Sequence, residues 1–364
     1  MIVLERRPAP SRFWSFAAPL LALAMAVVLS ALLFAALGHP PLRALYVYFV
    51  EPLTSWWSWE ELAVKATPLL LIGAGLALAY RANVWNIGAE GQLVMGAVAG
   101  SAIPILLPGW NDPLAMVAML ALGALGGAAW AAIPAFLKNR FNTNEILTSL
   151  MLVYVAQLFL DWLVRGPWRD PRGFNFPKSV AFEGWHVLPV LSGRLHLGFV
   201  LALLAIVGLW MLLSHMRFGF AVRVQGASPR AARFGGFSAN AITMNVMLIS
   251  GALAGLAGIG EVAGAIGHLQ PSISPGYGFA AIIVAVLGRL SPWGVLAAAF
   301  LLALTYLGGE SAQLALNMPA KVAQALQGML LFLILGADVL VHYRVRWRRA
   351  TSTKQIKDKG EAAA

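Results

Sequence analysis

Ten apolar runs divide this chain and leave it little choice of solvent. They fall at about 15–37, 62–80, 88–107, 114–137, 146–164, 195–213, 242–266, 278–288, 293–309 and 322–341. A helix that crosses a hydrocarbon core needs about 20 apolar residues, and most of these runs approach that length. Only 11% of the 364 residues are charged, against roughly 25% in a soluble domain. Mean hydropathy is +0.75. Too few charges remain to cover a water-facing surface. The expected fold class is an all-α, polytopic membrane protein with about ten membrane segments. The 36 glycines suit close approach of helices in lipid.

The run 278–288 is too short to cross alone. It reads as a half-helix or re-entrant piece, which a membrane tolerates only where protein or water covers its ends. The first run follows Arg6, Arg7 and Arg12 and exceeds the apolar region of a secretory signal, so an uncleaved anchor helix is expected. Lys and Arg mark the inner side of a membrane. With ten crossings and an inner N-terminus, Arg81, Lys138, Arg140, Arg217, Arg223, Arg230, Arg233, Arg289 and the basic stretch from Arg344 to Lys359 lie inside. The smaller outer set is Arg43, Lys65, Arg165, Arg169, Arg172, Lys178, Arg194 and Lys321. This bias places both termini in the cytoplasm. The chain then divides into a cytoplasmic N-terminus, 1–14, a membrane domain, 15–341, with an inner loop at 214–241, and a basic tail, 342–364. The tail is attracted to anionic lipid. The outer segments 38–61, with Trp56, Trp57 and Trp59, and 165–194, rich in Pro, Gly and Trp, read as interfacial caps. A sharper reading makes them a docking surface for a partner protein.

The motifs of bond-making chemistry are missing. No G-x-x-x-x-G-K-[ST] occurs, so the chain has no P-loop with which to hydrolyse a nucleotide. No H-E-x-x-H occurs, and His39, His186, His196, His215, His268 and His342 lack metal-ligand spacing. There is no G-x-S-x-G elbow and no cysteine for thiol chemistry. The net charge of +11 sits between apolar segments, which argues against nucleic acid as a partner. No enzyme and no cofactor are expected. A transporter, channel, scaffold or receptor remains.

Three segments break the apolar pattern with polar residues. The first is NVWNIGAEGQ, where Asn86, Glu90 and Gln92 stand among glycines at the start of the run 88–107. A carboxylate within a membrane helix costs about 2.5–3.5 kcal/mol on insertion scales and usually faces a bundle interior or water. A broken helix aiming its N-terminus at a central cavity is a common transporter device. Asn86, Glu90 and Gln92 are therefore candidates for a substrate path, as are Asn144, Glu145 and Glu261. The alternative is that such residues hydrogen-bond neighbouring helices and fix packing. The pairs Gly96–Gly100, Gly123–Gly127, Gly251–Gly255 and Gly260–Gly264 read as helix-packing sites. The second segment is the inner loop 214–241. Ser228 and Pro229 look like the cap and first residue of a short helix, carried on by Arg230, Ala231, Ala232, Arg233 and Phe234 and ended by Gly235-Gly236. It is either a lever for another protein or a plain connector. The third, 267–294, carries prolines and glycines before the short run 278–288. It echoes the first and suggests two related halves with a binding site between them.

Four stretches resemble one family. NVWNIGAEGQLVMGA resembles the permease subunits of ABC-type importers in the simple sugar and nucleoside branch, akin to the ribose and branched-chain amino acid permeases. VRVQGASPRAARFGGFSANAITMNVMLISGALAGLAG resembles that family's coupling loop and following span. GYGFAAIIVAVLGRLSPWGVLAAAFLLALTYLGG resembles its C-terminal pair, and NTNEILTSLMLVYVA fits its nucleoside-type members. The likeness runs from about Leu62 to Asp338. Trp85 stands where members usually carry Phe, and Ser228 where they often carry Asn. The resemblance implies a bacterial inner-membrane permease paired with a second, related permease. It also implies two ATPase subunits below, which would move the helix at Ser228–Phe234, and a substrate-binding protein above. A nucleoside or a simple sugar is the implied cargo. Two rivals stay open: an ion-coupled secondary transporter using Glu90, Glu145, Glu261 or Glu310, and a non-transporting membrane scaffold.

Overall fold

The structure, a computed structural model, describes residues 2–6, 12–319, 343–347 and part of 321–337. Two compact units emerge, one from residues 1–47 with 312–364 and the other from residues 48–311. In the first, strand β1 (Ile2–Arg6) pairs antiparallel with β4 (Tyr343–Trp347), Leu4 opposite Val345. Between them in sequence come helix α1 (Arg12–Ala36) and the short α2 (Pro41–Leu45). Ala22, Ala26, Ser30 and Phe34, spaced four apart, are the buried stripe of α1. The described residues of 321–337 are helical. Most of the basic tail lies outside the described residues.

The second unit is the membrane bundle. Its helices are α3 (Trp56–Arg81), α4 (Ala89–Leu106), α5 (Pro113–Phe141), α6 (Glu145–Arg165), α7 (Gly198–His215), α8 (Arg217–Ala227), α9 (Pro229–Phe234), α10 (Ala239–Glu261), α11 (Tyr277–Leu287) and α12 (Pro292–Leu316). Strands β2 (Val190–Ser192) and β3 (Leu195–His196) form a small hairpin before α7. A π-helical turn, Val262–Ile266, prolongs α10. Seven helices among the described residues are long and apolar enough to cross a membrane: α3 to α7, α10 with its π turn, and α12. The chain is an all-α multi-pass membrane protein. Helix α11, with 11 residues, spans about 16 Å, half of a hydrocarbon core of about 30 Å. The short run 278–288 is thus a half-helix, closed by a tight turn in which Arg289 and Leu290 are left-handed.

Helix α3 is the central column, with 94% of its apolar window buried. Helices α4, α5 and α10 meet backbone to backbone. A Cβ added at Gly96 would strike the backbone of Gly255, and one added at Gly127 would strike the backbone of Gly251. Glycine is required at these contacts because any side chain would part the helices. Gly100 and Gly123 pack on Ile259, and Gly264 packs on the His196 ring, whereas Gly260 meets nothing within 4 Å.

At one end of the bundle lie the 142–144 turn, α8 and α9. At the other, the segment 166–197 folds over the C-terminal end of α10 and the residues that follow it. Its backbone donates from Ser179 N to Leu269 O (2.8 Å), Phe182 N to Gly267 O (2.7 Å) and Leu188 N to Ala263 O (2.9 Å). Its Trp185 N–H donates to Asn111 Oδ1 at 2.6 Å. Backbone pairing of this kind satisfies polar groups that lipid would leave orphaned.

Candidate functional site

Two interrupted helices meet at Glu90. After α3 the chain turns at Asn83, left-handed at φ 57, and runs without regular structure over 84–88 before α4 begins. Side chains hold that stretch in place. The Tyr80 hydroxyl donates to Asn86 O at 3.0 Å, and the Ile87 N–H donates to Ser149 Oγ at 3.3 Å. Asn86 is wholly buried. Its Nδ2 donates to Gln92 Oε1 (2.8 Å) and Ser250 Oγ (3.0 Å), and its Oδ1 accepts from Gln92 Nε2 (2.9 Å) and Gly88 N (3.1 Å). Asn86 and Gln92 therefore spend their polar atoms on each other and on α10.

Glu90, 3% exposed, stands in the first turn of α4 and reaches the first turn of α11. Its Oε2 accepts from the Gly278 N–H at 2.6 Å, and the Ser274 hydroxyl lies near the same carboxylate. Ser274 Oγ in turn accepts from Gly276 N (3.0 Å) and Tyr277 N (2.9 Å). A helix start presents orphan N–H groups and a partial positive charge. One carboxylate here serves two such starts. A Cβ at Gly278 would strike the Glu90 backbone, so glycine is needed for the two starts to touch.

Beside this junction lies a line of charge. Tyr277 stacks edge-on against Tyr306, ring centroids 5.4 Å apart. Lys65 Nζ lies 2.7 Å from Glu310 Oε1, with side-chain exposures of 17% and 52%. Lys65, counted above in the outer flank, is inside α3. Glu261, half-buried where α10 passes into its π turn, feels Lys65, Arg194 and Glu310 through space. Towards the hairpin end, Arg194 Nη1 donates to both oxygens of Glu61 at 3.1 Å, and Ser192 Oγ donates to Glu60 Oε1 at 2.5 Å. Glu60 and Glu61 are buried. His196 is buried at the hairpin foot, its Nδ1 accepting from Gly198 N at 3.2 Å. Burial, then the Arg194 charge, lowers its pKa to about 4. An exposed charge pair on membrane-length helices must face water or protein, because lipid would not tolerate it.

The remaining candidates sit at the α9 end. Asn144 caps α6, its Oδ1 accepting from Ile146 N at 2.9 Å. Glu145 pairs with Lys138 and accepts from Trp85 N at 3.4 Å. Helix α9 has the expected form. Ser228 Oγ accepts from Ala231 N at 3.3 Å, Pro229 opens the helix, and Gly236 beyond it is left-handed. Ala232 is buried, whereas Arg230, Ala231, Arg233 and Phe234 are exposed, Phe234 at 94%. No group of three or more His, Asp or Glu able to hold a metal occurs among the described residues. Sequence reasoning missed Lys65, Ser250, Ser274, Tyr277 and Tyr306. A lysine inside an apolar run was the one available signal.

The fold is a multi-pass helical bundle in which the half-helix α11 meets the start of α4 over buried polar links, with a short capped helix, α9, at one end. Residues 58–335 match the family model described as branched-chain amino acid transport system / permease component. The chain belongs to this family and is the permease subunit of an ABC importer of the simple sugar branch. It is 36% identical to a glucose ABC transporter permease protein of Haloferax volcanii, over 93% of this chain and 92% of that one. It is 33% identical to a guanosine ABC transporter permease protein of Bacillus subtilis, over 71% and 73% of the two chains. A nucleoside ABC transporter permease protein of Lactococcus lactis is 25% identical over 95% and 97%. Among solved structures, PsaBC from Streptococcus pneumoniae in complex with Fab aligns at TM-score 0.43 and 11% identity, over 78% of this chain and 91% of that one.

Proposed function

We propose that this permease carries a neutral, hydroxyl-bearing solute, a nucleoside or a simple sugar, and has no enzymatic activity of its own. One observation supports this most. Half-helix starts in transporters commonly hold an anionic substrate, but here that place is taken by Glu90, whose carboxylate accepts from Gly278 N at 2.6 Å. A second anion would be repelled from this junction. The glucose, guanosine and nucleoside permeases among the relatives fit the same class. The path runs past Tyr277, Tyr306, Lys65, Glu310 and Glu261. Asn86, Glu90, Gln92, Asn144 and Glu145 hold the helix ends around it.

A second, related permease faces the Lys65–Glu310 pair across the path, making a heterodimer. Partner ATPases dock on α9 and hydrolyse the ATP; a substrate-binding protein delivers cargo at the hairpin end. The membrane is the bacterial inner membrane, with α9 on the cytoplasmic side, in keeping with the arginines of the 214–241 loop. Pairing of β1 with β4 supports both termini lying on one side.

Uptake by the reconstituted complex with its binding protein tests the cargo class. Unlabelled guanosine or glucose should compete with its labelled form, and guanosine monophosphate or glucose 6-phosphate should not. Transport of either phosphorylated compound would show that Glu90 does not exclude anions.

A further inference from the structure

A second polar cavity lies apart from the path, at the α9 end. It is a half-open hollow of about 240 Å³ between the 82–84 turn and the facing ends of α5, α8, α9 and α10. Asn83, Asn139, Asn142, Gln225 and Thr243 line it. Its one cation, Lys138, is neutralised by Glu145. The lining therefore offers carboxamides and a hydroxyl but no net charge.

Gln225 is the telling residue. It is 5% exposed, and its Nε2 reaches Thr243 Oγ1 only at 3.5 Å. Its Oε1 has no hydrogen-bond partner. A buried acceptor without a partner costs about 1–3 kcal/mol, and native interiors rarely leave one. Gln225 lies on the cavity wall, and because its carboxamide is held only by the long Thr243 contact, a turn of that group would bring the acceptor to a donor from a bound molecule. The backbone around it is shaped for the purpose. Asn83 and Asn142 are both left-handed, at φ 57 and φ 53, and Asn139 Nδ2 fastens the end of α5 to Asn240 O at 2.9 Å. Pro229, the first residue of α9, closes one side.

We propose that this cavity is a product site, binding the carried neutral hydroxyl-bearing solute from the cytoplasm and slowing transport while occupied. A charged ligand would meet no counter-charge there. A neutral polyol or nucleoside can donate to Gln225 Oε1 once that carboxamide turns, and accept from the asparagine carboxamides. Bound, it ties α5 and α10 to the root of α9 and resists the motion through which ATP hydrolysis is coupled. The identity of the ligand rests on the proposed cargo class; the existence of the site does not.

The test uses inverted proteoliposomes of the whole complex, with binding protein inside and ATP outside. Guanosine or glucose, whichever is transported, is added to the outer solution, which bathes the α9 face. Labelled solute loaded into the lumen with the binding protein should then leave it several-fold more slowly in wild type. Gln225→Leu and Thr243→Val should lift that inhibition while keeping the wild-type rate without added solute. Equal inhibition in wild type and both variants overturns the proposal. So does no inhibition in wild type, which assigns the cavity to water alone. If neither probe is transported, the cargo reading fails, and the site is judged separately. Binding of labelled guanosine or glucose to the purified permease–ATPase complex, lost in Gln225→Leu, upholds it, and absence of binding rejects it.

Discussion

Removing the Glu90 carboxylate tests the junction on which this reading depends. A short hydrogen bond from the Gly278 N–H ends on it, with the Ser274 hydroxyl nearby. Bonds to a charged acceptor contribute about 1.5–3 kcal/mol each. Desolvating the carboxylate offsets part of that, and truncation adds an unsatisfied buried N–H and a void. Glu90→Ala should cost about 3 kcal/mol on balance. Glu90→Gln keeps an acceptor oxygen for Gly278, so it should cost about 1 kcal/mol or less. The assay is thermal unfolding of the permease–ATPase complex in nanodiscs, beside uptake and basal ATPase rate. The expected order of Tm is wild type, then Gln close below, then Ala lower by several degrees. Uptake should follow the same order. An alanine variant that melts with wild type yet carries nothing would refute the latch and make Glu90 a solute contact.

Other perturbations follow from the same geometry. His196, with its pKa lowered from 6.5 to about 4, stays neutral when folded, so the folded state loses stability as pH falls from about 6.5 to 4. The loss approaches about 3 kcal/mol at the lower end, at 1.36 kcal/mol per unit, and His196→Leu should flatten this part of the Tm-against-pH curve; parallel curves would contradict it. Charge reversal at Arg230, or a bulky residue at Ala231, should cut uptake and transport-coupled ATPase activity with assembly intact, and wild-type uptake in both variants would falsify the docking role of α9. Exchanging Lys65 and Glu310 should restore part of the uptake lost in either single reversal, because the two side chains pair directly at 2.7 Å. Reporter fusions after Lys359 and within 170–190 should report opposite sides of the membrane, and agreement between them would overturn the topology.

What the sequence displayed was local. Run lengths separated the crossing helices from the half-helix at 278–288, because hydrocarbon thickness sets a length that eleven residues cannot reach. Ser228-Pro229 and Gly235-Gly236 delimited α9 because capping is decided within a turn. Asn144, named as a path candidate, caps α6, the same local role that Ser228 has in α9. The partners of Glu90, Asn86 and Lys65 were hidden, lying 188, 164 and 245 residues away. Nothing short-range selects Gly278 for Glu90; only the folded crossing of α4 and α11 does. Lys65 looked like a flanking charge because composition alone cannot tell a helix end from a wetted interior.

The glycine contacts joining α4, α5 and α10 bear on mechanics. Packed helices usually slide by letting interleaved side chains hop between neighbouring notches. Between Gly96 and Gly255, or Gly127 and Gly251, there are no side chains to hop. These three helices must travel as one plate, so alternate opening of the permease has to pivot at its margins. The π turn after α10, the 142–144 turn and the α11–α12 corner are the natural hinges. Stiffening one of them should stall the transport cycle without loosening the plate.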